Sequence, residues 1–341
     1  MRAVKLKREH LFDFLGSLSQ FGVFWGPVKK GDGHVLAPVD DFSKIDSIAL
    51  HTRLPFKKLL VPPKFNVFTF KESEIKSELK DIPQRVIFRL HPCDIWGLMI
   101  MDKFFTANYI DPYYYERRKR TIMIGISCIP DERCFCKTTN TGNVETGCDL
   151  FLSDLGEILL VWVFSSLGDD LVRECPELVD ENLNADDLKR YVDWRVYREN
   201  QFKLRLDFTG MPGIMELGYD SEFWDELGEK CLSCGACTIV CPTYPCYNVI
   251  DNLELNRDES VRTRQWDSCM YREYSMVAGG HNFREAHSER LKLRFTHKLQ
   301  AFVGQFGEPA CVGWGRCIDT CPVGIDIKTV ALALKREEVS A

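Results

Sequence analysis

Cys231-Leu-Ser-Cys234-Gly-Ala-Cys237-Thr-Ile-Val-Cys241-Pro242 is the stretch that decides how this chain folds. A partial echo follows at Cys311-Val-Gly-Trp314-Gly-Arg-Cys317-Ile-Asp-Thr-Cys321-Pro322. The spacing C-x2-C-x2-C-x3-C-P is that of chains holding two iron–sulfur clusters, in which three cysteines bind one cluster and the fourth reaches the other. Gly235 lets the backbone fold tightly around a cluster face, and Pro242 turns the chain away after the last ligand while removing one amide donor. Tetrahedral zinc is the alternative, but its four ligands come from two separated pairs, not from one run ending in Cys-Pro. The motif points to electron transfer.

The gap from Cys241 to Cys311 is far longer than in a compact bacterial ferredoxin, whose two runs are joined by hairpins. Arg262 to Glu273 and Glu285 to Phe302 carry helix-like patterns. Residues 221–341 are therefore expected to form an α-helical ferredoxin domain with two clusters. In that arrangement Cys231, Cys234, Cys237 and Cys321 share the first 4Fe–4S cluster, and Cys241, Cys311 and Cys317 belong to the second. Ser221 is placed to cap a helix leading into Cys231, which sets the boundary near Asp220.

Residues 1–220 alternate strand-like and helix-like patterns and are expected to form an α/β domain with a partly parallel sheet. Glu9 to Ser19 reads as a short amphipathic helix with Leu11, Phe12, Leu15 and Leu18 on one side. Phe21 to Val28 and Val35 to Val39 read as a hairpin across Lys29 to Gly33. Arg85 to Leu90 is a strand ending at His91-Pro92-Cys93, with Asp94 as the cap of a helix through Phe105. Thr121 to Ser127 is a second strand, ending at Cys128. Strand, helix, strand in this order is a βαβ unit with parallel strands. Phe151 to Leu155 and Ile158 to Phe164 form another hairpin, and Asn184 to Leu206 a long charged helix.

A second cysteine set lies in this domain. Cys93 and Cys128 each follow a strand, so parallel pairing puts both thiols at one carboxyl edge of the sheet, where α/β proteins place their sites. The loop Ile129 to Arg133 brings Cys134 and Cys136 back to that edge, with Cys148 nearby. Four converging thiolates suffice for a third 4Fe–4S cluster. Buried free cysteines and a zinc site are the alternatives; Cys-x-Cys in a turn is not a core pattern and favours the cluster. Cys175, before Pro176, is expected to be structural.

Composition narrows the class. The chain has 341 residues, 15 cysteines and a net charge of −6, which excludes a basic nucleic-acid surface. The basic stretch Arg290 to His297 alternates with Leu291, Leu293 and Phe295 and reads as a solvated face, with a partner-facing helix as the second choice. The longest apolar run, Ile158 to Phe164, is too short to cross a bilayer. No export signal is evident at the start, so a cysteine-rich metal protein of an anaerobic cytoplasm is expected rather than a disulfide scaffold. There is no G-x-G-x-x-G opening a helix, no G-x4-G-K-[ST], no H-E-x-x-H and no nucleophile-and-base set. The residues can carry electrons but offer no means of taking hydride from a nicotinamide.

His91-Pro92-Cys93-Asp94-Ile95-Trp96-Gly97-Leu98, Gly125-Ile126-Ser127-Cys128 with Cys134-Phe135-Cys136, Trp266-Asp267-Ser268-Cys269 and Ala278-Gly279-Gly280-His281-Asn282-Phe283-Arg284 together resemble the β subunit of cytoplasmic sulfhydrogenases, the NAD(P)-linked nickel–iron hydrogenases. The electron-transfer subunit of anaerobic sulfite reductase shares the pattern. The resemblance covers nearly the whole chain. It implies an electron-transfer subunit between the hydrogenase small and large subunits and a flavin- and NAD(P)-binding subunit. In the sulfite reductase the catalytic partner would be a sirohaem subunit. A non-redox, metal-stabilised scaffold is the reading from another class.

Two departures matter. The family usually has cysteine where this chain has Trp314, and also at the position of Tyr244. The second cluster thus lacks a standard ligand, which leaves a 3Fe–4S cluster, a substitute ligand or loss of the cluster. Cys269, after a Trp-Asp-Ser turn, is the first choice of substitute and Cys246 the second.

Overall fold

The strand Thr121–Ile126 is buried along its whole length, the pattern of a parallel strand covered on both faces. In the computed structural model, which describes residues 2–71, 74–77, 79, 82–253 and 259–340, this strand lies inside an eight-stranded mixed sheet. Its strands are β1 (Arg2–Lys7), β2 (Val23–Lys30), β3 (Gly33–Pro38), β6 (Arg85–Leu90), β7 (Thr121–Ile126), β8 (Leu150–Asp154), β9 (Ile158–Val163) and β10 (Val179–Asp180). The order is β10-β1-β9-β8-β7-β6-β2-β3. β2, β6, β7 and β8 run parallel, and antiparallel pairs extend the sheet on both sides. This is the expected α/β region with both hairpins in place.

Alternate residues feed the two faces. Val86, Phe88, Ile122 and Ile124 pack with Leu11, Phe14, Leu15 and Leu18. Ile87 and Met123 pack with Ile95, Leu98, Met101 and Phe105 of the helix Pro92–Thr106. The short helix Leu11–Ser17 turns Phe14 inward rather than Phe12, which is 38% exposed. Positions 11, 14, 15 and 18 make the tighter helical stripe. Asp94 is not the cap of its helix. His91 is, and the Asp94 carboxylate accepts from the His91 backbone N–H at 3.1 Å from inside the first turn. The helix Ala185–Asn200 stops short of Leu206, because the chain beyond it pairs with Thr138, whose hydroxyl bonds both the N–H and the carbonyl of Leu206.

A second, four-stranded sheet has the order β11-β12-β4-β5, from β4 (Lys64–Lys71), β5 (Glu74–Ser77), β11 (Tyr247–Leu253) and β12 (Glu259–Trp266). The helical expectation for Arg262 to Glu273 fails here. Val261, Thr263 and Gln265 alternate with Arg262, Arg264 and Trp266, a period of two, and β12 is paired on both sides. Arg264 bonds Asp111 at 2.6 Å and stacks on Tyr247, while the Trp266 indole donates to the Val61 carbonyl at 2.7 Å. Two of these strands precede residue 220 and two follow it.

The remaining C-terminal segment is helical. Trp224, Leu291, Phe295, Leu299, Ile325, Val330 and Leu334 form its core, with the motif cysteines packed at the margin. The stretch from Glu285 is broadly as expected: the helix His287–Thr296 runs through a π turn at His297–Ala301 into Phe302–Phe306.

Candidate metal centres

The first motif and the end of the second meet around one cavity. Cys231, Cys234, Cys237 and Cys321 line it, with Met270, Leu291 and Arg294. Backbone N–H groups of Ser233 and Ile325 donate to the sulfurs of Cys231 and Cys321 at 3.4 and 3.2 Å. Gly235 has φ +71°, and an added Cβ would lie 2.7 Å from the Tyr271 ring, so the turn over the cavity needs glycine.

A second cavity lies beside it and shares Arg294. Cys241, Cys311 and Cys317 line it together with Trp314, Lys298 and Arg316. Lys298 donates to Thr243 Oγ1 and to the Ala310 carbonyl, both at 2.8 Å, and Thr243 Oγ1 is 3.3 Å from Cys241 Sγ. Lys57 is also buried, over the Trp266 ring at 4.5 Å and bonded to the Tyr244 carbonyl at 3.0 Å. Burial alone would push the Cys241 thiol up, but Lys298 and Lys57 reverse this and bring it down to about 7. Burial dominates at Cys311, against Lys298, and pushes that thiol up to about 12.

The N-terminal thiols also come together. Cys93, Cys134 and Cys136 are each 3% exposed and share one apolar cluster with Trp314, Val312 and Phe302. Cys136 interacts with both Cys93 and Cys134, and Cys128 lies within electrostatic reach of Cys93, Cys134 and Cys136. A register shift between Phe88 and Leu90, with Arg89 at φ +72°, ends β6 just before Cys93. Cys93 then sits in the first turn of its helix, where the dipole favours a thiolate. Cys136 offers Cys93 a stabilising contact, yet burial pushes that thiol up to about 11. Burial also raises Cys128 against the pull of Arg198, whose guanidinium holds the Cys128 carbonyl at 2.6 Å. Bare thiolates are costly in such a place, and a cationic metal centre relieves that cost.

The spacing of the sulfurs bears on which metal fits. Tetrahedral zinc with Zn–S bonds of about 2.3 Å would draw its sulfurs to roughly 3.8 Å from one another. Among the described residues, the one group of three ligand atoms mutually within 4.8 Å is His51, Asp131 and Cys134, which contains a single cysteine. Asp131 there braces the loop, accepting from the Cys134 and Arg133 backbone N–H groups and from His51 at 3.1 Å. Among the described residues no three cysteine sulfurs lie mutually within 4.8 Å, so none of the three sets is drawn together as zinc would draw it.

Two expected residues stand elsewhere. Cys269 does not line the second cavity. Its backbone N–H bonds the Tyr244 hydroxyl at 2.7 Å, and its sulfur faces Tyr244 and Cys246, with Tyr274 donating to Cys246 Sγ at 3.2 Å. The placement of both sulfurs is against either Cys269 or Cys246 replacing the missing thiolate: Tyr244, at the centre of this group, holds them beside each other. Cys175 accepts from Ser17 in the first core, a structural role. The basic stretch from Arg290 is not a solvated face. Arg290 and Arg294 are buried, Arg290 tying down Ser233 and Arg294 reaching both cavities. Their spacing carries the signal: positions 290, 291, 294 and 295 share one helical stripe.

Residues 230–325 match the family model of a 4Fe–4S dicluster domain. Over 326 residues, 96% of each chain, the sequence is 37% identical to the sulfhydrogenase 2 subunit beta of Pyrococcus furiosus. No helix among the described residues is long and apolar enough to cross a membrane.

Proposed function

This chain belongs to the family of sulfhydrogenase β subunits, and on that premise we propose that it relays electrons between a nickel–iron hydrogenase module and a flavin- and NAD(P)-binding subunit. It is an iron–sulfur electron-transfer subunit of a hydrogenase. The relay would use three sites: Cys231, Cys234, Cys237 and Cys321; Cys241, Cys311 and Cys317; and Cys93, Cys128, Cys134 and Cys136. When bound, each cluster takes up and passes on one electron.

The observation that carries the reading is that the three thiol sets are contiguous. Arg294 lines both C-terminal cavities, and the loop Val312 to Gly315 lines the second cavity while packing against Cys136. Arg294, Lys298, Lys57 and Arg198 would hold the negative charge of the clusters in a medium that water screens poorly. Cys234 is exposed at one end of the row. At the other, Cys128 lines a surface cleft with Ile48, Arg89, Asp154, Trp194 and Tyr197. We take residues 1–220 and 221–341 as the one-cluster and two-cluster regions, joined by the sheet of β4, β5, β11 and β12.

The test is reconstitution. The purified chain alone should not oxidise NADH or NADPH with a viologen acceptor. Activity should appear when a flavoprotein subunit is added. Nicotinamide oxidation by the single chain, or clusters that the complete complex cannot reduce with hydrogen, would refute the relay.

A further inference from the structure

We infer that the second cavity is built for a 3Fe–4S cluster, because Trp314 stands where a fourth thiolate would close a 4Fe–4S cube. The inference rests on reading this cavity as an iron–sulfur site. The two motifs align position for position: Cys311 with Cys231, Trp314 with Cys234, Cys317 with Cys237 and Cys321 with Cys241. Each cavity draws on the three leading positions of one motif and the last cysteine of the other. The first therefore has four thiols and the second three. Among the residues lining the second cavity there is no further cysteine and no histidine, aspartate or glutamate. Its other polar side chains, Arg294, Lys298 and Arg316, are cations without a free lone pair, and the indole nitrogen has none either.

What these side chains offer is hydrogen-bond donation. Trp314 Nε1, Arg294 Nε and Nη1, and Arg316 Nε and Nη1 are buried without a partner in the protein. Buried donors of this kind need an acceptor. A 3Fe–4S core would need no thiolate from position 314, and its sulfides would accept from these donors. A 3Fe–4S cluster held there would take one electron from a neighbouring iron–sulfur cluster, passing from all-ferric to one ferrous equivalent with no proton moved and no bond broken. The added charge falls among the three cations.

Trp314 is also fixed in place. The Phe135 N–H donates to the Gly313 carbonyl at 2.8 Å, and the Thr141 hydroxyl to the Val312 carbonyl at 2.7 Å. Gly313 has φ +66°, and an added Cβ would lie 2.5 Å from the Cys136 nitrogen. The Arg316 guanidinium stacks on the indole. These contacts hold the loop against the Cys134–Cys136 turn.

The experiment is iron analysis with electron paramagnetic resonance on the full chain, with any co-purifying subunits, kept anaerobic and then mildly oxidised. Wild type should show a 3Fe–4S signal of about one spin per chain that disappears on reduction. Trp314→Cys should abolish the signal and add about one iron per chain. Cys269→Ala should keep both signal and iron content. Wild type incubated with ferrous iron and reductant, then desalted and mildly re-oxidised, should regain the signal with no added iron; if it instead gains about one iron and stays silent, the signal came from a damaged cube and the inference fails. Absence of the signal with iron equal to that of Trp314→Cys would also overturn it. If wild type and Trp314→Cys both lack this site's iron altogether, it is the iron–sulfur reading of the cavity that fails.

Discussion

Replacing Lys298 by glutamine removes one buried charge from the second site and keeps a hydrogen-bond donor for Thr243 and Ala310. The ammonium is 2.8 Å from Thr243 Oγ1, which is 3.3 Å from Cys241 Sγ, so charge and sulfur are no more than about 6 Å apart. At an effective dielectric constant of about 20, a unit charge at about 6 Å is worth roughly 3 kcal/mol to an added electron. For a one-electron couple this is about 120 mV. Lys57, Arg294 and local relaxation take up part of the loss, so a fall of about 50–120 mV is expected for Lys298→Gln. The sign is fixed: a cation stabilises the reduced, more negative cluster, and its removal lowers the reduction potential. Lys298 lines the second cavity but not the first, whereas Arg294 lines both. Potentiometric titration followed by electron paramagnetic resonance should show one centre moving in Lys298→Gln and two in Arg294→Gln. An unmoved second centre with intact iron content, or equal shifts at all centres in Lys298→Gln, would refute the electrostatic assignment.

Cys93→Ser should remove about four irons per chain while the C-terminal sites keep theirs, read by iron and sulfide analysis. Unchanged iron content would mean that the N-terminal thiols bind no cluster. Gly313→Ala should destabilise the fold by about 2–4 kcal/mol, from the positive φ together with the collision against Cys136. The control is Gly304→Ala, in a helix with nothing within 4 Å of the added Cβ. That change should stabilise by about 0.5–1 kcal/mol in the same denaturant titration.

The sequence is most legible where one local rule acts alone. The short, near-continuous apolar and β-branched runs of β6 and β7, flanking a helix that opens at Pro92, are enough to place Cys93 and Cys128 at one edge of a parallel sheet. Motif spacing is enough to bring Cys321 to the first three cysteines. β12 reads as a helix because arginine-rich strands and helices share composition, and its short period of two is outweighed until its pairing with β4, nearly two hundred residues away, is seen. Elimination alone points to Cys269 as a ligand. Its true neighbours, Tyr244 and Cys246, come to it through the β11–β12 hairpin, a contact no local pattern encodes. Arg294 and Lys298 are hidden for a different reason. Buried cations are rare enough that a basic helical stretch reads as solvated, and only the anionic site they surround makes their burial tolerable.

The position of Trp314 accounts for why a departure from four thiolates is tolerated at this site. The loop Val312 to Gly315 has two tasks, to border the second cavity and to seal the Cys134–Cys136 turn, and bonds from the Phe135 N–H and the Thr141 hydroxyl fix it for the second. A cysteine there would serve the cavity but leave empty much of the volume that an indole fills. Unfilled volume in that layer would cost stability and, among polar atoms, admit water between two cluster sites. Tryptophan gives up one iron and fills the gap with packed aromatic matter, in contact with Arg316 on one face and His51 nearby. A three-iron cluster still cycles one electron, so the relay loses a ligand without losing a step. The first cavity has no such neighbour: its Cys234 is exposed, nothing competes for that corner, and the fourth thiolate is retained.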